Sequence, residues 1–306
     1  MKARFFIIPC IVLAAAACQK EEDKQTENRP ERPETGSYTL IVEAVKDVDT
    51  KALELTDNGT ALDAYWVSGE KVSVYLDGVY KGYLTATPTA AKSKTATLSG
   101  EIDGISDEAT LHLLSPGRDD QKWDYTGQTG AAPTPDGDLS KRFDYALATV
   151  TVNSVSGTTI TTTGATFTNQ QSIYRLGFRL DSQDGNYVDP VDFTITASGN
   201  TIAQSFSYQN NAWTPVLGKS LSVTTPTTKP SDHFYYLSIL NQNTSTDEDY
   251  SFILTGSNSS LYMGHKVVGS TLLVPGKFIS AKNIVVSQSR FAPVENSSIS
   301  DPGQIY

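Results

Sequence analysis

The sequence predicts an all-β protein, on three observations. Short runs rich in Val, Thr, Tyr and Phe recur along the chain. Many of them alternate apolar and polar residues with a period of two, which is typical of strands with one buried face. Asp-Gly pairs separate several of the runs, and this dipeptide favours tight hairpin turns. Long stretches with helical periodicity are missing from the sequence. Many short strands with turns between them indicate sandwiches or barrels.

Length and composition restrict the class of protein further. A chain of 306 residues corresponds to about two domains. With 38% hydrophobic and 19% charged residues, it is expected to be globular. The formal net charge of −10, without a basic run, argues against nucleic acid as a partner. A structural zinc site needs about four clustered N or S ligands, and the two Cys and three His are scattered along the chain, so neither a metal nor another cofactor is predicted.

The amino-terminal residues 1–17 have the layout of a secretory signal peptide. Lys2 and Arg4 form a positive start, residues 5–13 are mostly apolar, and an Ala run follows. Cys18 comes directly after this run, which resembles the lipobox of bacterial lipoproteins, where the thiol is diacylated. The alternative is ordinary cleavage within the Ala run, which leaves Cys18 as a free thiol.

The predicted lipidated tether spans residues 18–36. Its charge and Pro content, without periodic apolar residues, indicate a disordered linker. The acidic stretch at 19–23 resembles the signal that sends lipoproteins of Bacteroidetes-type bacteria to the cell surface. The alternative is a simple solvated tether, and the two interpretations are compatible with each other. Lipid on Cys18 is expected to hold the protein to the outer membrane while the fold stays soluble.

Nine strand runs carry the all-β prediction. They cover residues 38–45, 71–76, 110–114, 148–152, 174–180, 192–196, 234–239, 250–254 and 277–286. A Thr- and Gly-rich stretch at 158–168 predicts a domain boundary near residue 165. This divides the chain into β domains at 37–165 and 166–290. The tail, 291–306, is either a loose end or a strand that pairs with a partner.

The sequence provides no evidence for an enzyme. Ser68 and Lys71 match the S-x-x-K pattern of serine acyl-transfer enzymes, but that motif belongs at a helix start and this one leads into a strand. Acidic clusters such as 247–249 lack the spacing of a calcium loop and are interpreted as solvated turns. We therefore predict no catalytic residues.

Trp123 is the best candidate for a sugar contact. It lies in a polar stretch, 119–125, that is predicted to be a loop. Carbohydrates pack on exposed aromatic faces, so a loop Trp is a reasonable contact. The alternative is that the indole anchors its own loop, as large aromatic side chains usually do.

The motifs, taken in order, resemble the fimbrillin family of Bacteroidetes. They lie at residues 64–75, 96–102, 125–130, 139–145 and 273–278. The first contains Ala64-Tyr65-Trp66-Val67-Ser68-Gly69-Glu70 and is similar to the W-x-x-G-D-x-I-x-V-Y region of the family, with Glu70 where Asp is common. The last, Leu273-Val274-Pro275-Gly276-Lys277-Phe278, is similar to the family's L-x-x-G-K-x-Y.

The resemblance implies two tandem β-sandwich domains of the transthyretin-like, Greek-key type, and a subunit of a type V pilus. In such subunits a trypsin-like protease removes the first strand, and a neighbour's strand fills the exposed groove. Here the first strand would be 38–45. Its residues Tyr38, Leu40, Val42 and Ala44 would face one side and plug the groove.

The resemblance also implies a processing site behind that strand. Lys46 and Lys51 are the candidates, and Lys51 is preferred because it lies in a more plausible exposed loop. The alternative is that both are ordinary surface lysines and that the strand stays in place, as in an anchor subunit.

We therefore expect a fimbrial subunit or adhesin at the cell surface. Its expected partners are other pilus subunits, a trypsin-like processing protease and the outer membrane. A surface glycan-binding lipoprotein of a nutrient-uptake system is the alternative, and it rests on the same lipid anchor and on Trp123.

Overall fold

The computed structural model describes residues 36–46, 56–57, 62–118, 122–134, 137–180, 186–209, 212–241 and 245–289; at 56, 57, 62, 63, 209, 212 and 213 it describes the backbone alone. The predicted signal peptide, Cys18, the tether to residue 35, Lys51 and the tail 291–306 lie outside these residues. The regular secondary structure of these residues is almost entirely β-strand, so the all-β prediction is confirmed.

The strands up to residue 169 are numbered in chain order. They are β1 (Ser37–Lys46), β2 (Thr56–Asp57), β3 (Leu62–Asp63), β4 (Lys71–Leu76), β5 (Val79–Pro88), β6 (Thr95–Asp103), β7 (Thr110–Ser115), β8 (Lys122–Asp124), β9 (Ala146–Ser156), β10 (Thr159–Thr162) and β11 (Ala165–Asn169).

The strands after residue 171 continue the numbering. They are β12 (Ser172–Leu180), β13 (Asp192–Thr196), β14 (Ile202–Gln209), β15 (Ala212–Gly218), β16 (Ser220–Thr224), β17 (Tyr235–Ile239), β18 (Glu248–Thr255), β19 (Leu261–Val268) and β20 (Phe278–Gln288). Each of the nine predicted runs overlaps a strand. The described helical structure is short, a π-helical turn at Leu139–Phe143 and a 3₁₀ turn at Ser270–Leu272.

Eight strands form the first sheet, in the order β10-β1-β11-β9-β7-β4-β5-β6. A further pairing joins β1 to β6, the last strand of this order, so the sheet closes on itself, and β10 also pairs with β9. One apolar core lies inside it and includes side chains from β1 as well as Trp66. The strand β1 therefore completes both the hydrogen bonding and the core of this part of the chain.

The second sheet has seven strands, in the order β16-β13-β18-β19-β20-β12-β17. It surrounds a separate apolar core that is rich in aromatic side chains, including Phe178, Phe193, Tyr235 and Phe252. The first sheet ends at Asn169 and the second begins at Ser172, so the change between cores takes place within a few residues.

A three-stranded sheet, β15-β14-β8, connects the two parts of the chain. The strand β8 comes before residue 169 and pairs with β14, which comes after it. Aromatic side chains from both parts pack together here, including Tyr75, Trp123, Tyr145 and Phe206. The first and second cores are thus linked by a third, aromatic one.

The turn between β4 and β5 shows why Asp-Gly pairs predict hairpins. Asp77 and Gly78 have φ values of 51° and 74°, and these left-handed conformations are the ones a two-residue hairpin turn needs. Gly adopts them without strain, and Asp tolerates them better than most residues. None of the described helices is long and apolar enough to cross a membrane.

Candidate functional site

The strand β1 has a neighbour along each of its edges. On one side it runs antiparallel to β6, from the pair Ser37 and Asp103 to the pair Val45 and Thr95. On the other side it runs parallel to β10 over Thr39 to Ile41, and parallel to β11 over Ala44 to Lys46. Removing β1 would therefore expose two strand edges at once, and unpaired edges are templates for another strand.

Side chains of β1 alternate between the core and the surface. Tyr38, Leu40, Val42 and Ala44 are each at most 2% exposed and lie in the first core. Ile41, between two of them, is 40% exposed. The predicted inward face of the strand is thus the buried one, while its role as a plug for a groove stays a prediction.

The outer face of β1 carries hydroxyl groups that bind a carboxylate of β6. Thr39 donates to Oε1 of Glu101 at 2.7 Å, and Ser37 donates to Oε2 at 2.9 Å. These two hydrogen bonds, that of Thr39 first, lower the pKa of Glu101. Hydrogen bonds to an ionised carboxylate favour its charged form.

The Thr39→Ala variant is expected to raise the pKa of Glu101 towards its ordinary value. Because the folded-state pKa is the lower one, this interaction stabilises the fold at pH values above the ordinary carboxyl pKa. The stabilisation is lost as the pH falls through the folded value. NMR titration of the Glu101 side chain measures the shift. Thr97→Ala, which removes a hydroxyl bound to Glu43 instead, should leave it unchanged.

The last residue of β1 enters a site built for an ammonium group. The Nζ atom of Lys46 donates to Oε2 of Glu70 at 2.8 Å and to the carbonyl oxygen of Tyr65 at 3.1 Å. It also lies 3.8 Å from the centre of the Trp66 ring, a cation–π distance. We call these three groups, from Tyr65, Trp66 and Glu70, the ammonium cradle.

Neutral partners hold the cradle in place. The hydroxyl of Ser115 donates to the other carboxylate oxygen of Glu70 at 2.7 Å, and the ring of Phe167 packs edge-on against Trp66 with centroids 5.2 Å apart. The backbone of Glu70 bonds to Val67 and Ala86. Groups outside β1 therefore orient the carboxylate together with Lys46.

The position of Lys46 corrects one sequence prediction. The side chains of Lys46 and Glu70 are each 1% exposed. Burial lowers the pKa of the Lys46 ammonium, while the adjacent Glu70 acts in the opposite direction. A protease that cuts after a basic residue has no access to Lys46 in this fold. The preferred candidate, Lys51, lies outside the described residues and stays a prediction.

Trp123 is also not where the sequence placed it. It belongs to β8 rather than to a loop, and its side chain is fully buried. The indole stacks on Phe206 with ring centroids 5.3 Å apart, and its Nε1 donates to the carbonyl oxygen of Pro116. It presents no exposed face to a sugar, which corrects the predicted glycan contact.

Sequence reasoning identified the motif around Trp66 but not its chemistry. Trp66 and Glu70 were recognised only as part of a resemblance, whereas the structure places both around the end of β1. The available signal was a basic residue at the end of an alternating strand together with an acidic residue in a Trp-containing motif. The two residues are 24 positions apart in the sequence, and the sequence alone does not show that they are neighbours in space.

Metal binding has no support in the described residues. There, no group of three or more His, Cys, Asp or Glu side chains could hold an ion.

Comparison with known proteins places the chain among distant structural neighbours. No family model matches it, and no curated protein matches it. One similar solved structure is that of a protein from Bacteroides uniformis that is named as a candidate cell adhesion protein. Its sequence is 16% identical, the match covers 82% of this chain and 96% of that one, and the TM-score is 0.46. The fimbrial anchor protein Mfa2 from Porphyromonas gingivalis has 11% identity, coverage of 82% and 90%, and a TM-score of 0.43.

The tip fimbrial protein Mfa3 from the same organism, in a form with a C-terminal truncation, is also similar. It has 9% identity, coverage of 75% and 81%, and a TM-score of 0.34. The neighbours are thus fimbrial proteins and candidate adhesion proteins of Bacteroidetes, in agreement with the fimbrillin-like family that the motifs resemble. At TM-scores below 0.5 these are remote likenesses.

Proposed function

We propose that the protein is a fimbrial subunit or adhesin that assembles by strand exchange after proteolytic removal of β1. One observation supports this most directly. A single terminal strand supplies a row of core side chains and also the pairing partner of two otherwise open edges, on β6 and on β10 with β11. A strand in this position leaves a long groove when it departs, and a strand of similar pattern fills that groove.

The energetics favour replacement over an empty groove. Burial of the four apolar side chains of β1, from Tyr38 to Ala44, stabilises the fold by roughly 6 kcal/mol at about 1.5–3 kcal/mol for each large side chain. Whole domains are stable by only about 5–15 kcal/mol. A subunit without β1 therefore regains much of its lost stability when it binds another strand. Backbone pairing contributes to the affinity for that strand.

Proteolysis makes the exchange possible. While β1 is covalently attached, an incoming strand competes with an intramolecular one at high effective concentration. Cutting the chain behind β1 removes this advantage. With Lys46 buried, we propose Lys51 as the processing residue, cut by a trypsin-like protease.

The remaining parts of the proposal concern location and organisation. Residues 1–17 direct export, and Cys18 carries the lipid that anchors the protein in the outer membrane at the cell surface. Two tandem β-sandwich domains divide between Asn169 and Ser172, a few residues after the boundary predicted near 165, and other pilus subunits are the partners. The alternative role as a glycan-binding lipoprotein has lost its supporting residue, since Trp123 is buried.

Limited trypsin digestion of residues 19–306 tests the processing step. We expect trimming of the tether and one early cut after Lys51, with none after Lys46, because a buried side chain cannot enter a protease pocket. The rest of the chain should resist, and oligomers should form. Intact mass and size-exclusion chromatography give the readout. A protein that stays whole beyond the tether and monomeric would contradict the proposed assembly route.

A further inference from the structure

All three groups of the ammonium cradle belong to the receiving part of the fold. Tyr65, Trp66 and Glu70 lie between β3 and β4, whereas the cation comes from β1. Among the residues that the structure describes, Lys46 is the cation paired with Glu70. Departure of β1 would thus remove the cation and leave its acceptors behind.

The emptied cradle would be an unfavourable place for an apolar side chain. Glu70 would keep its hydrogen bonds from the Ser115 hydroxyl and the Val67 backbone N–H, but neutral donors do not balance a buried negative charge. Asp144, which is also buried, adds to the negative potential at this point. A strand with an apolar residue here would seal an anion into the core without a cation.

The cradle also distinguishes registers. Side chains that point inwards recur every two residues, so a slip by one residue would turn the apolar row outwards. A slip by two would keep that row inwards and place Ala44, or its counterpart in another strand, beside Glu70. Only one register satisfies the apolar row and the carboxylate together.

We propose that the groove left by β1 selects a strand with a Lys or Arg two residues after its last inward apolar side chain, at the register of Lys46. The partner is a strand of another subunit, with four apolar residues at alternate positions followed by this basic one. The inference rests on the proposed strand exchange and adds its partner chemistry. Either side chain can pair with the cradle, because both ammonium and guanidinium groups bind carboxylates and Trp faces.

Peptide binding to the cleaved protein tests this selection. A recognition sequence for a specific protease is inserted after Thr50 in residues 19–306, the chain is cut, and the amino-terminal fragment is removed in mild denaturant. The protein is then returned to buffer with a fluorescent, amidated peptide of Ser37–Lys46. Competing peptides carry Lys46→Arg or Lys46→Met. Fluorescence anisotropy gives the dissociation constants.

We expect the Lys and Arg peptides to bind at least about 30-fold more tightly than the Met peptide, a difference of roughly 2 kcal/mol. In the Glu70→Gln protein this preference should shrink to about 3-fold or less, since a buried uncharged amide needs no cation to balance it. The matched control is Glu101→Gln, which removes an exposed carboxylate beside β1 and should keep the full preference.

The outcomes separate the two proposals. Equal binding of all three peptides to the unsubstituted protein would overturn the selection and leave strand exchange standing. A preference that persists unchanged in Glu70→Gln would overturn the role of the cradle. If no peptide binds the cleaved protein, the strand-exchange proposal fails and the selection fails with it.

Discussion

Replacing Leu40 by Asp is expected to prevent the first sheet from forming. Leu40 is fully buried in the middle of β1, where its inward neighbours are also apolar. A carboxylate at this point would be desolvated with no cation beside it, which costs more than about 4 kcal/mol of folding free energy. We expect Trp66 to lose the fluorescence signal of a buried indole. We also expect trypsin to cleave throughout residues 37–169.

The matched control is Ile41→Asp, one residue further along the same strand. Ile41 is 40% exposed and points away from the core, so the same new charge stays in water. The expected loss is about 1 kcal/mol, mostly from the lower strand preference of Asp. Denaturant unfolding of both variants measures the difference. Similar losses in the two would contradict the assigned orientation of β1.

The Lys46→Met variant is expected to lose about 3–5 kcal/mol of unfolding free energy. The loss arises less from the missing ion pair than from Glu70, whose charge stays buried without a partner. The exposed pair of Arg142 and Asp138, with side chains 49% and 43% exposed, provides a comparison. Arg142→Met should cost no more than about 0.5 kcal/mol, because water screens a surface pair.

A second substitution should restore part of this loss. Lys46→Met combined with Glu70→Gln removes both charges and keeps an oxygen that accepts from Ser115. We expect the double variant to be more stable than Lys46→Met by about 1.5 kcal/mol or more, a coupling typical of residues in contact. Denaturant titration of the single and double variants measures it. A double variant as unstable as Lys46→Met would show that the buried charge is not the cause.

The sequence alone predicts those strands in which apolar and polar residues alternate strongly. The inward row of β1 could be predicted because a period of two assigns side chains to faces without knowledge of the neighbours. The hairpin at Asp77-Gly78 was equally predictable, since few dipeptides accept its backbone conformation. Strands such as β15, which contains Pro215 and ends at Gly218, carry no such pattern and were missed.

Contacts between distant segments were beyond sequence reasoning. Lys46 ends β1 at a position in phase with the inward apolar row, but a charged side chain is buried there only because Glu70 and Trp66, many residues away, receive it. Trp123 sits among polar residues and looks exposed until β14 is seen to cover it. In both cases the neighbour that decides burial comes from another part of the chain.

A disulfide that locks β1 to β6 tests most directly whether β1 is a replaceable strand. Ile41 and Ser99 stand opposite each other on the outer face, and residues 19–306 contain no other cysteine. The variant Ile41→Cys with Ser99→Cys is oxidised and treated with trypsin. Thr110→Cys with Thr151→Cys, which joins β7 to β9, is the control lock.

Light scattering after size-exclusion chromatography follows assembly before and after addition of a reductant. We predict that the oxidised β1–β6 lock keeps its amino-terminal fragment and stays monomeric, and that reduction releases the fragment and starts assembly. The control lock should assemble under both conditions. Assembly of the oxidised β1–β6 lock at the rate of the reduced protein, with the fragment still attached, would contradict strand exchange at β1.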